Sequence, residues 1–128
     1  MNDASIWSQQ EAALAAALLR LWETAHGTLA GNVRVLVGPD SVAAWIEAVL
    51  SPAERVAARR NDGHLLIQRY ADELLNSIQP ELRALVESIT GRRIVSGNAR
   101  ADVDTGHVLC FFVLGEPLAR PSSPGTGA

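Results

Sequence analysis

Three histidines, one cysteine, two closely spaced aspartates and eleven arginines are the residues of this chain whose chemistry could build a site. His26, His64 and His107 stand on separate segments, without the i,i+4 or Cys/His spacing that gathers metal ligands, so no metal site is expected. Cys110 lies inside the run Val108-Leu109-Cys110-Phe111-Phe112-Val113-Leu114, where burial raises a thiol pKa and removes the thiolate that nucleophilic chemistry needs. Asp102 and Asp104 are two apart and on a strand would share a face as a carboxylate pair. They flank a turn, however, where aspartate caps backbone N–H groups, and that role is the expected one. Gly27, Gly31 and Gly38 match neither a phosphate loop nor a dinucleotide fingerprint, lacking the Lys-Ser/Thr ending of the first and the glycine spacing of the second. No catalytic constellation emerges, and neither enzymatic activity nor a cofactor is expected.

Arginine offers a different chemistry. Arg55, Arg59 and Arg60, followed by His64 and Arg69, form the densest basic neighbourhood, and Arg92-Arg93 closes the next segment. The planar guanidinium fork suits carboxylate, phosphate or bicarbonate, which makes Arg60, His64 and Arg69 the candidate anion-binding residues. The simpler reading is a solvated helix face with cations near helix C-termini. Over the whole chain the formal charge is −3, with no lysine, and this argues against the broad basic stripe that nucleic-acid binding requires.

Length and composition set the frame for these residues. The 128 residues, 48% hydrophobic and 20% charged, suit one packed domain. Val108 to Leu114, among the longest apolar runs, falls far short of the roughly 18 to 20 residues of a membrane-spanning helix. Met1-Asn2-Asp3-Ala4-Ser5 lacks the positive and apolar regions of a secretory signal, so the cytoplasm is the expected compartment. A lone cysteine, which excludes an intrachain disulfide, agrees.

Several elements must position the candidate residues. Leu14, Leu18, Leu21 and Ala25, flanked by Ala15, Leu19 and Trp22, recur at helical spacing over 9–25, and His26-Gly27 supplies a stop. The stripe is wider than one packing face needs. Val33, Val35 and Val37 read as a short strand ending in the turn Gly38-Pro39-Asp40. Residues 41–50 are ambiguous, since Val42, Trp45, Ile46, Val49 and Leu50 fit a helix capped by Asp40 while Val42, Ala44, Ile46 and Ala48 fit a strand face.

Ser51-Pro52-Ala53-Glu54 carries two helix-start signals: a Ser-x-x-Glu capping box and a proline at the first helical position. The capped helix should run from Pro52 to Arg60, broken at Asn61-Asp62-Gly63. Ile67, Ala71, Leu74, Ile78, Leu82, Leu85 and Ile89 then step by three and four in one phase, predicting a single helix kinked at Pro80 and stopped by Thr90-Gly91. Arg93 to Val103 and Val108 to Leu114 should pair as an antiparallel hairpin around Asp104-Thr105-Gly106-His107. The continuous apolarity of the second run predicts a central strand covered on both faces.

The order and wording of these features resemble the MpsC-type domain family, named for a Na+-translocating membrane-potential-generating system. The resemblance covers roughly 11–115 and rests on Val49-Leu50-Ser51-Pro52-Ala53-Glu54-Arg55, Arg69, Thr90-Gly91-Arg92-Arg93-Ile94-Val95, Asp102-Val103-Asp104 and Val108 to Leu114. His26-Gly27-Thr28-Leu29-Ala30-Gly31 departs from the tighter Gly-x-Gly-Pro loop of that family. The resemblance implies a strand over Val42 to Ala48, which the residue pattern alone leaves open.

The expected fold is α+β. Two β-hairpins form one antiparallel sheet packed with an N-terminal helix, a short capped helix and a long kinked helix within 1–115, and the Pro/Ser/Gly-rich 116–128 forms a disordered tail. Excess apolar surface points to a homodimer. The resemblance implies a non-enzymatic cytoplasmic accessory or regulatory module tied to Na+ translocation or inorganic-carbon uptake. Its partner would be a membrane transporter subunit, which holds this chain at the membrane although the chain itself does not span it. The alternative is a stand-alone small-anion or small-ligand binding protein using Arg60, His64 and Arg69.

Overall fold

The Ser51 hydroxyl accepts the Glu54 N–H at 3.2 Å while the Glu54 carboxylate accepts the Ser51 N–H at 2.8 Å, so the capping box forms as the sequence predicts. The computed structural model describes residues 3–27 and 31–118. In chain order its elements are α1 (Asp3–His26), β1 (Val33–Val37), β2 (Ser41–Ile46), α2 (Pro52–Ala58), α3 (Asn61–Thr90), β3 (Arg92–Asp102) and β4 (His107–Pro117). The four strands form one sheet in the order β1-β2-β4-β3, antiparallel throughout. Each hairpin supplies one inner strand, and β2 against β4 joins the two hairpins.

Within residues 41–50 the strand is Ser41–Ile46, so it is a strand as the resemblance implies but stops two residues before Ala48. Val42, Ala44 and Ile46 alternate inward, and Ala48 then takes a left-handed φ of 55° that breaks any regular element before the capping box. Period-two burial wins here because β2 lies between two partners, so its backbone groups are satisfied by neighbours on both sides.

One face of the sheet carries the helices. α1 packs on β1, α3 packs on β3, the two helices touch, and α2 leans on α3. Leu14, Leu18 and Trp22 from α1 are fully buried, as are Val42, Val108 and Phe112 beneath them. Much of the broad α1 stripe is thus used within the chain. On α3 the most buried line is Ala71, Leu75, Ile78, Leu82 and Val86, with Ile67, Leu74 and Ile89 partly covered. The centre of the stripe therefore lies one residue beyond the predicted Leu74 and Leu85, because α3 packs against α1 on one side and β3 on the other. α3 runs unbroken through Pro80, which lies on the exposed side, and ends at Gly91 with φ 70°.

The second face of β4 corrects an expectation. Val108, Cys110, Phe112 and Leu114 are buried, but Leu109 and Phe111 are 47% and 52% exposed. A central strand in this sheet is covered on one side only. β4 also runs to Pro117, opposite Arg92, and Leu118 N–H donates to Gly91 O, so ordered pairing continues past Gly115. Of the expected tail, 119–128 lie outside the described residues, as do Thr28, Leu29 and Ala30 of the loop that departs from the family pattern.

Helix side chains hydrogen-bond to the backbone of both outer strands of the sheet. Glu11 of α1 accepts the Val37 N–H on β1 at 2.9 Å. On β3, Gln68 donates to Ala101 O at 2.9 Å and Glu87 accepts the Ile94 N–H at 2.8 Å. Two register shifts near Ile94 further irregularise that edge. Gly97, with φ 126°, brings β3 so close to Phe111 and Phe112 that no side chain would fit.

Candidate functional site

The uncovered sheet face is the most distinctive surface of the chain. Cross-strand pairs stack its side chains in rows. One row runs Leu36, Ala43, Phe111, Asn98 and the next runs Arg34, Trp45, Leu109, Arg100. Apolar side chains thus occupy the two inner strands, and a polar or cationic group closes three of the four row ends. Arg34 lies over the Trp45 ring at 5.9 Å and reaches Glu47 at 3.3 Å, which fixes one rim. Leu36, at 59% exposure, extends the apolar area to β1. An apolar patch on the two inner strands and Leu36, rimmed by polar groups, is the form that interaction surfaces take.

At the β3–β4 turn, Asp102 accepts the Asp104 N–H at 3.0 Å, which is the capping role expected of it. Asp104 turns away and meets His64 Nε2 at 2.9 Å, pairing α3 with the hairpin loop. An open cleft of about 460 Å³ beside β3 includes Gln68, Asn98, Arg100, Asp102, Asp104 and Phe111 in its lining. This cleft does bring both aspartates to an arginine, but to Arg100 and not to the arginines singled out from the sequence. Cys110 is buried, and desolvation pushes its thiol up to about 12, so it stays protonated near neutrality.

The three candidate anion ligands lie on one short stretch of chain and face different ways. Arg60 precedes α3 and lines a shallow groove with Val56, Asp62 and Leu66. His64 is directed at Asp104. Arg69 is exposed, five residues on, which on a helix is about 140° around the axis from His64. The structure brings His64 to a carboxylate instead of to the arginines.

A contact that sequence reasoning missed sits at the other end of the capping box. His26 Nε2 lies 2.9 Å from Glu54 Oε1, with the two side chains only 4% and 16% exposed. The His26 ring stacks on Trp22 at 5.4 Å and meets Tyr70 edge-on at 6.2 Å. The cap residue of α2 therefore also pins the end of α1 beside α3. No local spacing signals this, since 28 residues separate the partners.

Among the described residues there is no group of three or more His, Cys, Asp or Glu placed to hold a metal ion. No helix there is long and apolar enough to cross a membrane. In comparison with known proteins, the family model described as "Na+-translocating membrane potential-generating system (MpsC)" matches residues 8–116. Neither the curated proteins nor the solved structures contain a match.

Proposed function

Because the chain belongs to the MpsC family, we propose that it is a non-enzymatic accessory or regulatory module of a Na+-translocating, membrane-potential-generating system. It works from the cytoplasm, peripheral to the membrane through a transporter subunit, and its activity extends to inorganic-carbon uptake. The family match is what supports this reading, with the partner docking on exposed parts of the helices, while the uncovered sheet face, with Trp45, Leu109 and Phe111 presented between Arg34 and Arg100, is left for a second copy of the chain. An apolar face with a polar rim suits protein docking, and the protonated, buried Cys110 thiol supplies no nucleophile.

On this reading the chain is a homodimer whose two sheet faces pack on one another. Facing sheets interdigitate at about 10 Å, and the protruding Leu36, Leu109 and Phe111 have the size for that. Light scattering after size exclusion should give twice the chain mass, falling to the chain mass in Phe111→Asp with unchanged circular dichroism. A monomeric wild type would remove the dimer. For the system as a whole, deleting the gene should lower membrane potential and growth at low CO2. No change in either would count against the accessory role. Calorimetric titration with bicarbonate, phosphate and nucleotides separates this reading from that of a small-anion binder through Arg60, His64 and Arg69.

A further inference from the structure

The corner where α2 meets α3 concentrates two properties. From Pro52 to Tyr70 the chain carries four arginines, Arg55, Arg59, Arg60 and Arg69, against two acids, Glu54 and Asp62, a balance of +2. The whole chain has 11 arginines and 14 acids, which leaves seven against twelve, or −5, for the remainder. All four arginines are exposed. Glu54 is turned inward onto Ser51 and His26; Asp62 shares the groove of Arg60 and Asp104 the pocket of Arg55 and Arg59, which leaves the corner with four arginines against two outward-facing carboxylates.

The same corner exposes aliphatic side chains that a helix facing only water would not favour. Val56, Leu65 and Leu66 are 55%, 62% and 65% exposed. Val56 and Leu66 border one shallow groove between α2 and α3, and Leu65 lies next to Leu66 on the outer side of α3. Val56 stands nearly opposite the buried Ala58 on the α2 wheel, as Leu66 does from Ala71 on α3, so both project away from the core.

We propose that this corner docks directly on an anionic lipid bilayer, with Val56, Leu65 and Leu66 entering the headgroup boundary and the arginines meeting lipid phosphates. The spread of the cations selects this occupant. Arg55 and Arg59 flank the side of α2 nearest Asp104, Arg60 lies in the groove, and Arg69 stands one turn on between Leu65 and Leu66 on the exposed face of α3. Charges that surround the aliphatic tips, without converging on one point, fit a plane of phosphates better than one carboxylate or one bound anion. An acidic protein surface shares the charge but would need a complementary shape, and the corner offers only a shallow groove.

This surface shares no residue with the open sheet face, and the inference does not depend on the accessory role or on the dimer.

Sedimentation of the full chain with vesicles tests it. Phosphatidylcholine vesicles containing roughly one third phosphatidylglycerol should carry the protein down at low salt, release it at high salt, and outcompete pure phosphatidylcholine. Arg59→Gln with Arg60→Gln should weaken partitioning by about fivefold per charge removed. Leu65→Ser with Leu66→Ser should weaken it as well, while the circular dichroism of both variants stays that of the wild type. Absence of sedimentation with the anionic vesicles overturns the proposal and leaves an acidic protein as the occupant of the corner. Equal partitioning of either variant also overturns it.

Discussion

Glu54→Ala should destabilise the fold well beyond the loss of a helix cap, and the amount can be worked from its contacts. Its Oε1 accepts the Ser51 N–H at 2.8 Å and lies 2.9 Å from His26 Nε2. Losing its half of the capping box costs about 1 kcal/mol. His26, at 4% side-chain exposure, also loses this partner in an environment where water replaces it poorly, a cost of about 1–3 kcal/mol. The sum is about 2–4 kcal/mol, which at roughly 4 °C per kcal/mol for a domain of this size lowers Tm by about 8–16 °C.

Ser51→Ala is the control, because it removes only the hydroxyl that accepts the Glu54 N–H, and should cost about 1 kcal/mol. Urea unfolding followed by circular dichroism measures both. A double-mutant cycle with His26→Ala should return a coupling of about 1 kcal/mol or more. If Glu54→Ala costs no more than Ser51→Ala, or the cycle shows no coupling, then the α1–α2 link contributes nothing and the reasoning fails.

Gly97→Ala combines a left-handed backbone with a Cβ driven into Phe111 and Phe112, and should cost more than about 2 kcal/mol in the same unfolding assay. Removing the Arg92 side chain, which donates to Gly115 O at 2.9 Å and to Pro39 O, should loosen the hairpin ends by about 1 kcal/mol. Cys110, protonated and buried, should resist iodoacetamide in the folded protein at pH 8 and react once urea unfolds it; rapid native alkylation would contradict the burial.

Local patterns made most of the fold legible. Ser51 and Glu54 carry their helix start in four residues, and Gly91 marks the end of α3 because glycine readily takes the left-handed φ of 70° found there. β2 was different: helical and strand spacing both fit 41–50, and the resemblance decided correctly what periodicity could not. Seven consecutive apolar residues in β4 read as two covered faces, because hydrophobicity reports a preference for burial without saying that the chain itself provides the cover. The surface features were less visible. His26 meets Glu54, and His64 meets Asp104 across 40 residues, only because tertiary packing brings separate elements together. Arg60, His64 and Arg69 look like one cluster along the chain, yet helix geometry turns them to different sides.

The helix side chains that bond to β1 and β3 bear on how strands could add to this sheet. An open strand edge accepts another strand and leaves a new edge behind, so growth at an edge has no natural end. Here Glu11, Gln68 and Glu87 occupy backbone groups that such growth would need. A face, by contrast, is consumed when it is covered. With part of each edge occupied and one face bare, the open surface of the chain is of the kind that is used up when covered, and strand addition at the edges meets competing hydrogen bonds at Val37, Ile94 and Ala101.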